Sequence, residues 1–196
     1  HSFMTSGSTR DWNEAMCPLI KGNTRSVFSV CLALAPVLLE MSSIENGGFN
    51  MVGGSSTGKS TTLFVAGSIW GGGGISGFVK SWRSTSNGLE SVAKMHCDSF
   101  LALDELGQAE PRTVSEAAYM LANGAGKSRS LKDGNLRDSA EWRLLFLSTG
   151  EIGIIDKINE DTRLRSFAGQ EVRIVDIPAV PQGCTGVFES LNDCRS

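Results

Sequence analysis

Gly53-Gly54-Ser55-Ser56-Thr57-Gly58-Lys59-Ser60 fits the pattern G-x-x-x-x-G-K-[ST] at every fixed position. Small residues let the backbone turn tightly, so that successive N–H groups face a phosphate. The lysine then reaches the β- and γ-phosphate oxygens, and the following hydroxyl is placed to ligate Mg²⁺. A helix opening there adds the positive end of its dipole. The flanks agree: Gly48-Phe49-Asn50-Met51-Val52 reads as a short strand and Ser60 to Ala66 as the helix after the loop. A flexible Gly/Ser turn that holds a lysine by chance is the competing reading, and it leaves this flanking order unexplained. The candidate contacts to a nucleoside triphosphate are Gly53, Ser55, Ser56, Thr57, Gly58, Lys59, Ser60 and Thr61, with Lys59 also a catalytic candidate.

Binding alone needs only the loop, whereas hydrolysis needs a metal partner and an activated water. Ser99-Phe100-Leu101-Ala102-Leu103 is a continuous apolar run that suits a central parallel strand buried on both faces, and it ends in Asp104-Glu105. The carboxyl ends of such strands are where open α/β sheets bind ligands. Asp104 is the expected acidic partner of Ser60 at Mg²⁺, and Glu105 the residue that orients or deprotonates the water. Read in isolation, the two carboxylates would be a solvated pair opening a loop. A second buried strand, Glu141 to Leu147, ends at Ser148-Thr149-Gly150-Glu151. Ser148 or Thr149 can sense the γ-phosphate; equally, these hydroxyls can cap a helix beginning near Glu151. Spacing does not choose between the two residues.

The remaining elements follow from periodicity and punctuation. Ser26 to Met41 has helical apolar spacing broken by Pro36. Gly77 to Trp82 reads as a strand, and Asn87 to His96 as a helix with His96 at its end. Pro111 and a capping box from Thr113 to Glu116 open a helix running to Ala122. Gly126 to Arg137 is basic and polar around Lys132-Asp133-Gly134-Asn135, a hairpin turn signal. Gln170 to Ile177 is a last strand stopped by Pro178. The expected organisation is a helical segment over 1–45, a nucleotide-binding core over 46–180 and a tail over 181–196.

The 196 residues suffice for one moderate domain with a real core. A net charge of −3 argues against a surface broadly coated for nucleic acid, so any such contact must be local. Five scattered cysteines and only two histidines, with no C-x-x-C pair, point to reduced thiols in a cytoplasmic protein rather than disulfides or zinc. No stretch is expected to match the roughly 20 apolar residues of a membrane span, and the start carries no signal-peptide pattern.

Together, these motifs make the chain resemble the P-loop ATPase family catalogued as domain of unknown function 927, found in helicase-like and primase–helicase proteins of phages, plasmids and mobile cassettes. The resemblance spans about Leu32 to Pro178. Besides the phosphate loop it rests on Ser81-Trp82-Arg83-Ser84-Thr85-Ser86-Asn87-Gly88-Leu89-Glu90, Leu103-Asp104-Glu105-Leu106-Gly107-Gln108 and Tyr119-Met120-Leu121-Ala122-Asn123-Gly124. Trp142-Arg143, Leu147-Ser148-Thr149-Gly150-Glu151 and Ala168-Gly169-Gln170-Glu171-Val172-Arg173 complete it. Ser60 stands where many members have Thr.

The resemblance implies an AAA+ or superfamily 3 type core, an αβα sandwich of the RecA-like kind around five parallel strands, assembled as a hexameric ring with ATP between subunits. It implies a β-hairpin before the sensor strand that grips single-stranded or forked DNA, here carrying Lys127, Arg129, Lys132 and Arg137. Such rings borrow an arginine from the neighbouring subunit, which supplies roughly 10³–10⁵ in rate in related systems. Arg165 and Arg173 are the favoured candidates, with Arg163 beside them. Set against a whole helicase of that kind, these residues are expected to hold no primase segment, no evident helical lid after Pro178 and no separate DNA-binding domain. The expectation is therefore an ATP- and Mg²⁺-dependent DNA helicase motor. The alternatives are a nucleotide-dependent regulatory or remodelling module and, fitting less well, a metabolite kinase.

Overall fold

The strands that flank the phosphate loop are apolar along their whole length, so their natural place is inside a sheet covered on both faces. In the computed structural model, which describes residues 3–72, 77–126, 129–130, 136–137, 139–164 and 173–190, this is where they lie. Five strands, β1 (Gly47–Val52), β2 (Lys80–Ser81), β3 (Ser99–Asp104), β6 (Leu144–Gly150) and β7 (Ile174–Pro178), form an all-parallel sheet in the order β2-β3-β6-β1-β7. Between β3 and β6 in the chain, β4 (Arg129–Ser130) and β5 (Leu136–Arg137) pair antiparallel, with Arg129 opposite Arg137.

Alternation along each strand sorts the core into two layers. Phe100 and Ala102 of β3, Leu147 of β6 and Met51 of β1 pack with Leu32 and Ala33 of α2 (Thr24–Leu34) and Leu63 and Ala66 of α4 (Lys59–Gly67). Leu101, Leu103, Leu144 and Phe146 face the other way, onto α5 (Ser86–Met95), α6 (Pro111–Asn123) and α7 (Ile154–Asn159). Each fully buried Leu or Phe contributes about 1.5–3 kcal/mol relative to exposure, so both layers help hold the sheet between the helices. Gly48 is required by contact: a Cβ there would stand 2.3 Å from the Phe146 ring.

The N-terminal region packs on this sandwich through α1 (Thr9–Ile20) and α2. Pro36 ends α2 as expected, and the chain continues through a 3-10 turn, Ala35–Leu38, into the short α3 (Leu39–Ser42). By length and composition this run, Thr24–Ser42, is apolar enough to cross a membrane, contrary to the sequence expectation. Its face at Ser26, Ser29, Leu32, Ala33, Pro36 and Leu39 is buried, at the helical spacing that sets a core-facing stripe.

Several expected boundaries move. The strand expected over Gly77–Trp82 is only Lys80–Ser81, because Gly77 and Phe78 form a turn and the β2 edge pairs with β3 alone. The strand expected over Glu141–Leu147 begins at Leu144 and runs through Gly150. The Asn46 side chain bonds the Trp142 carbonyl and the Leu144 N–H and so defines its start. Ser148 and Thr149 are therefore inside the strand and cap no helix. The capping box at Thr113 does not form: Pro111 occupies the first turn, where its missing N–H costs nothing, and Glu116 turns to Arg112 and Ser86. Pro178 is the last residue of β7 rather than the residue beyond it, a position an edge strand tolerates. Residues 181–190, expected to begin a plain tail over 181–196, return to the core and bury Val187.

Candidate active site

The loop between β1 and α4 is tied into the sheet by the Gly53 N–H, which donates to the Gly150 carbonyl at 3.1 Å. Its turn uses left-handed backbone at Ser56 (φ 59°) and Gly58 (φ 95°), and Gly58 is the N-cap of α4. Among the described residues, the amides of Ser55 to Thr61 meet no protein acceptor. Orphaned N–H groups curled around a helix N-terminus are the donor set a phosphate chain requires. The Lys59 ammonium folds back over the same loop, donating to the carbonyls of Gly53 (2.8 Å) and Gly54 (2.5 Å). These are weak partners for a cation, and phosphate oxygens would replace them. The loop therefore fits a nucleoside triphosphate.

Three side chains from three elements converge beside it. Asp104 ends β3, and its Oδ1 accepts from Ser60 Oγ on α4 at 3.2 Å, from Thr149 Oγ1 on β6, and from the Glu105 N–H at 3.0 Å. Asp104 and Thr149 share the face that α4 covers, which is why they meet Ser60. One hydroxyl and one carboxylate, completed by phosphate oxygens and water, suit Mg²⁺, which keeps most of its own hydration. Glu105 follows in left-handed backbone (φ 64°, ψ 50°), an unusual conformation for a residue with a Cβ and one that concentrates at functional sites. It lines the same cleft, about 470 Å³ in volume, with Ser55, Lys59, Gln108 and Glu151.

The structure separates the two sensor candidates. Ser148 points to the opposite face, fully buried, and accepts a 2.8 Å hydrogen bond from the Trp82 indole. Only Thr149 reaches the cleft. Period-two alternation makes the two residues opposite in facing, but which face carries α4 is a tertiary fact. Trp82 and the Gly150 carbonyl, which hold β6 and the loop in place, are the contributors that sequence reading missed.

Neither of the described arginine candidates, Arg163 and Arg173, lines this cleft. Arg173 lies at the amino end of β7, away from the loop, where it pairs with Glu45 (2.7 Å) and donates to Asn123 Oδ1 (2.6 Å). Arg163 is held by both oxygens of Asp161, and this hydrogen bonding lowers the Asp161 carboxyl to about 2. Arg165 lies outside the described residues, as do Lys127 and Lys132. Arg129 and Arg137 sit at opposed register positions of the β4–β5 hairpin. His96 ends α5 as expected. It is buried with Nδ1 2.8 Å from the Phe100 carbonyl, so Nδ1 carries the proton; burial lowers its pKa, the carbonyl opposes, and the Lys80 charge adds to the lowering.

An all-parallel sheet ordered 2-3-6-1-7, with a phosphate loop leaving its central region and an acidic residue ending the strand two places away, is the αβα sandwich of the P-loop nucleoside triphosphatases. The chain belongs to the family described as Domain of unknown function (DUF927), which matches residues 1–141. The match begins before the motifs quoted above and ends before β6. Among solved structures, the chain is similar to one described as "SCCmec type IV Cch - active helicase", at 21% identity and a TM-score of 0.67 over 95% of this chain. The chain spans about a third of that protein's length, 34%. No curated protein sequence matches it.

Proposed function

We propose that the chain is the ATP-hydrolysing motor core of a DNA helicase of a mobile genetic element, working in the cytoplasm as part of a hexameric ring. The observation that carries the hydrolytic reading is the meeting of Ser60, Asp104 and Thr149 at the mouth of the phosphate loop with Glu105 beside them. The loop amides and Lys59 bind the phosphates. Ser60 and Asp104 would hold Mg²⁺, which when bound neutralises charge on the phosphate oxygens. Glu105 accepts the proton of the attacking water as the terminal phosphoryl bond breaks, and Thr149 positions that water or the γ-phosphate. Arg165 or Arg173 of a neighbouring subunit would supply the trans charge. The helicase half of the reading is supported by likeness in fold to a structure described as a helicase, and by Arg129 and Arg137 at opposed positions of the β4–β5 pair just before β6 in the chain.

The test is ATP turnover by the purified chain with and without single-stranded DNA, beside Glu105→Gln. DNA-stimulated turnover that falls on the order of 10²–10⁴-fold in the variant, with nucleotide binding kept, is expected. Turnover indifferent to DNA and to salt would instead indicate a remodelling module that does not act on nucleic acid.

A further inference from the structure

Residues 179–190 run back from β7 along the outer side of the phosphate loop. The Ala179 N–H donates to the Val52 carbonyl at 2.8 Å. Farther on, the Val187 N–H donates to the Thr57 carbonyl, also at 2.8 Å, and the Val187 side chain is fully buried. The packing there is close: a Cβ on Gly58 would stand 2.8 Å from Val187 Cγ2, and a Cβ on Gly186 would stand 3.0 Å from the Thr57 carbonyl oxygen. The far end of the strap is anchored on the start of α2. Asn23 Oδ1 accepts from the N–H groups of Glu189 (2.8 Å) and Ser190 (2.9 Å). In return the Glu189 carboxylate caps α2, accepting from Thr24 N at 2.5 Å and Thr24 Oγ1 at 3.0 Å.

The Thr57 carbonyl and the Gly58 N–H belong to one planar trans peptide, so they point in opposite directions. A donor that holds the carbonyl on the outer side of the loop therefore turns the Gly58 N–H inward, among the orphaned amides of the cradle. In the left-handed conformation Gly58 has no side chain to resist rotation of that peptide, so the restraint has to come from elsewhere. Val187 supplies it. Glu189 matters because its bonds to α2 keep the strap from lifting away.

We propose that Val187 and Glu189 are positioning residues for the phosphate loop, setting affinity for a polyphosphate chain by fixing the Thr57–Gly58 peptide. The proposal rests on the reading of the loop as a triphosphate site. The experiment titrates the full chain with a fluorescent ATP analogue, and in competition with inorganic tripolyphosphate, both with Mg²⁺. Wild type is compared with Val187→Pro, Val187→Ala, Glu189→Ala and Glu189→Gln, and with Lys59→Ala as the control without binding.

Val187→Pro deletes the N–H and should weaken ATP and tripolyphosphate alike, by about tenfold for one lost hydrogen bond. Val187→Ala and Glu189→Ala should each cost about threefold, and Glu189→Gln, which keeps acceptor capacity, should recover part of it. Equal loss for the two ligands is the signature of a loop effect, since tripolyphosphate has no nucleoside to contact the strap. Loss confined to ATP, or unchanged affinities in folded variants, overturns the proposal. Should Val187→Pro fail to fold, the Val187→Ala and Glu189 variants carry the same decision. Wild type binding neither ligand would sink the nucleotide reading itself, whereas wild type binding both beside unaffected variants would sink only the strap.

Discussion

The two ends of the one sheet treat charge in opposite ways. At the carboxyl end, Lys59, Asp104, Glu105 and Thr149 face a cleft, with Lys59 resting on loop carbonyls. At the amino end the guanidinium groups meet carboxylates. Arg143 bridges Asp98 (2.7 Å) and Glu40 (3.4 Å) and holds the Asp98 carboxyl below the usual range, and Arg173 joins Glu45 to Asn123. The difference teaches where reactivity can sit in a parallel sheet: the carboxyl ends of the strands carry the ligand groups, and charges at the other end pin one element to the next.

The largest effect should come from the reactive end. Lys59→Ala should lower nucleotide turnover by at least on the order of 10²-fold, as loss of one preorganised charge contact does elsewhere, with the melting temperature little changed. Full turnover in that variant would remove the contrast altogether. Thr149→Val and Ser148→Ala sharpen it, because neighbours on one strand should fail differently. The first should cut turnover about tenfold or more without loss of stability. The second should leave turnover largely intact but cost about 1–3 kcal/mol in urea unfolding, the penalty of orphaning the buried Trp82 N–H. Swapped outcomes would reverse the assignment of the sensor.

A smaller effect concerns pH. His96 is buried neutral with a pKa below its ordinary 6.5, so the unfolded state binds the proton more readily than the native state. Stability should therefore fall as pH drops below about 6.5, and His96→Gln should flatten the dependence measured by thermal melts from pH 5 to 8. The smallest effect is expected at the amino end. Arg173→Ala breaks an ion pair whose Glu45 partner is mostly exposed, so nucleotide affinity should not move and thermal stability should drop only slightly. A large loss of hydrolysis with binding intact would assign the proposed trans arginine to Arg173, and unchanged hydrolysis would leave it to Arg165.

Much of the candidate site's geometry was legible in one dimension because a loop shaped for phosphate is built from contiguous backbone. Gly53 to Ser60 carry both the turn and the donors, and Asp104 announces itself at the end of an apolar strand. Less could be read where a role depends on partners distant in the chain. Ser148 and Thr149 are chemically alike, and only Trp82 on one side and Ser60 with Asp104 on the other distinguish them. The strand start at Leu144 was misplaced for the same reason: the Asn46 side chain, nearly a hundred residues away, defines it.

By itself, the sequence determined the phosphate loop, the order of strands and helices, the acidic strand end and the division of the first long apolar run at Pro36. These are local consequences of backbone sterics and of apolar periodicity. Tertiary structure alone decided which of the Ser148 and Thr149 hydroxyls faces the loop, that Arg173 turns to Glu45, and that Val187 comes to rest on Thr57. Those contacts join residues dozens to more than a hundred positions apart, and chain closure over such distances is fixed by packing of the whole core.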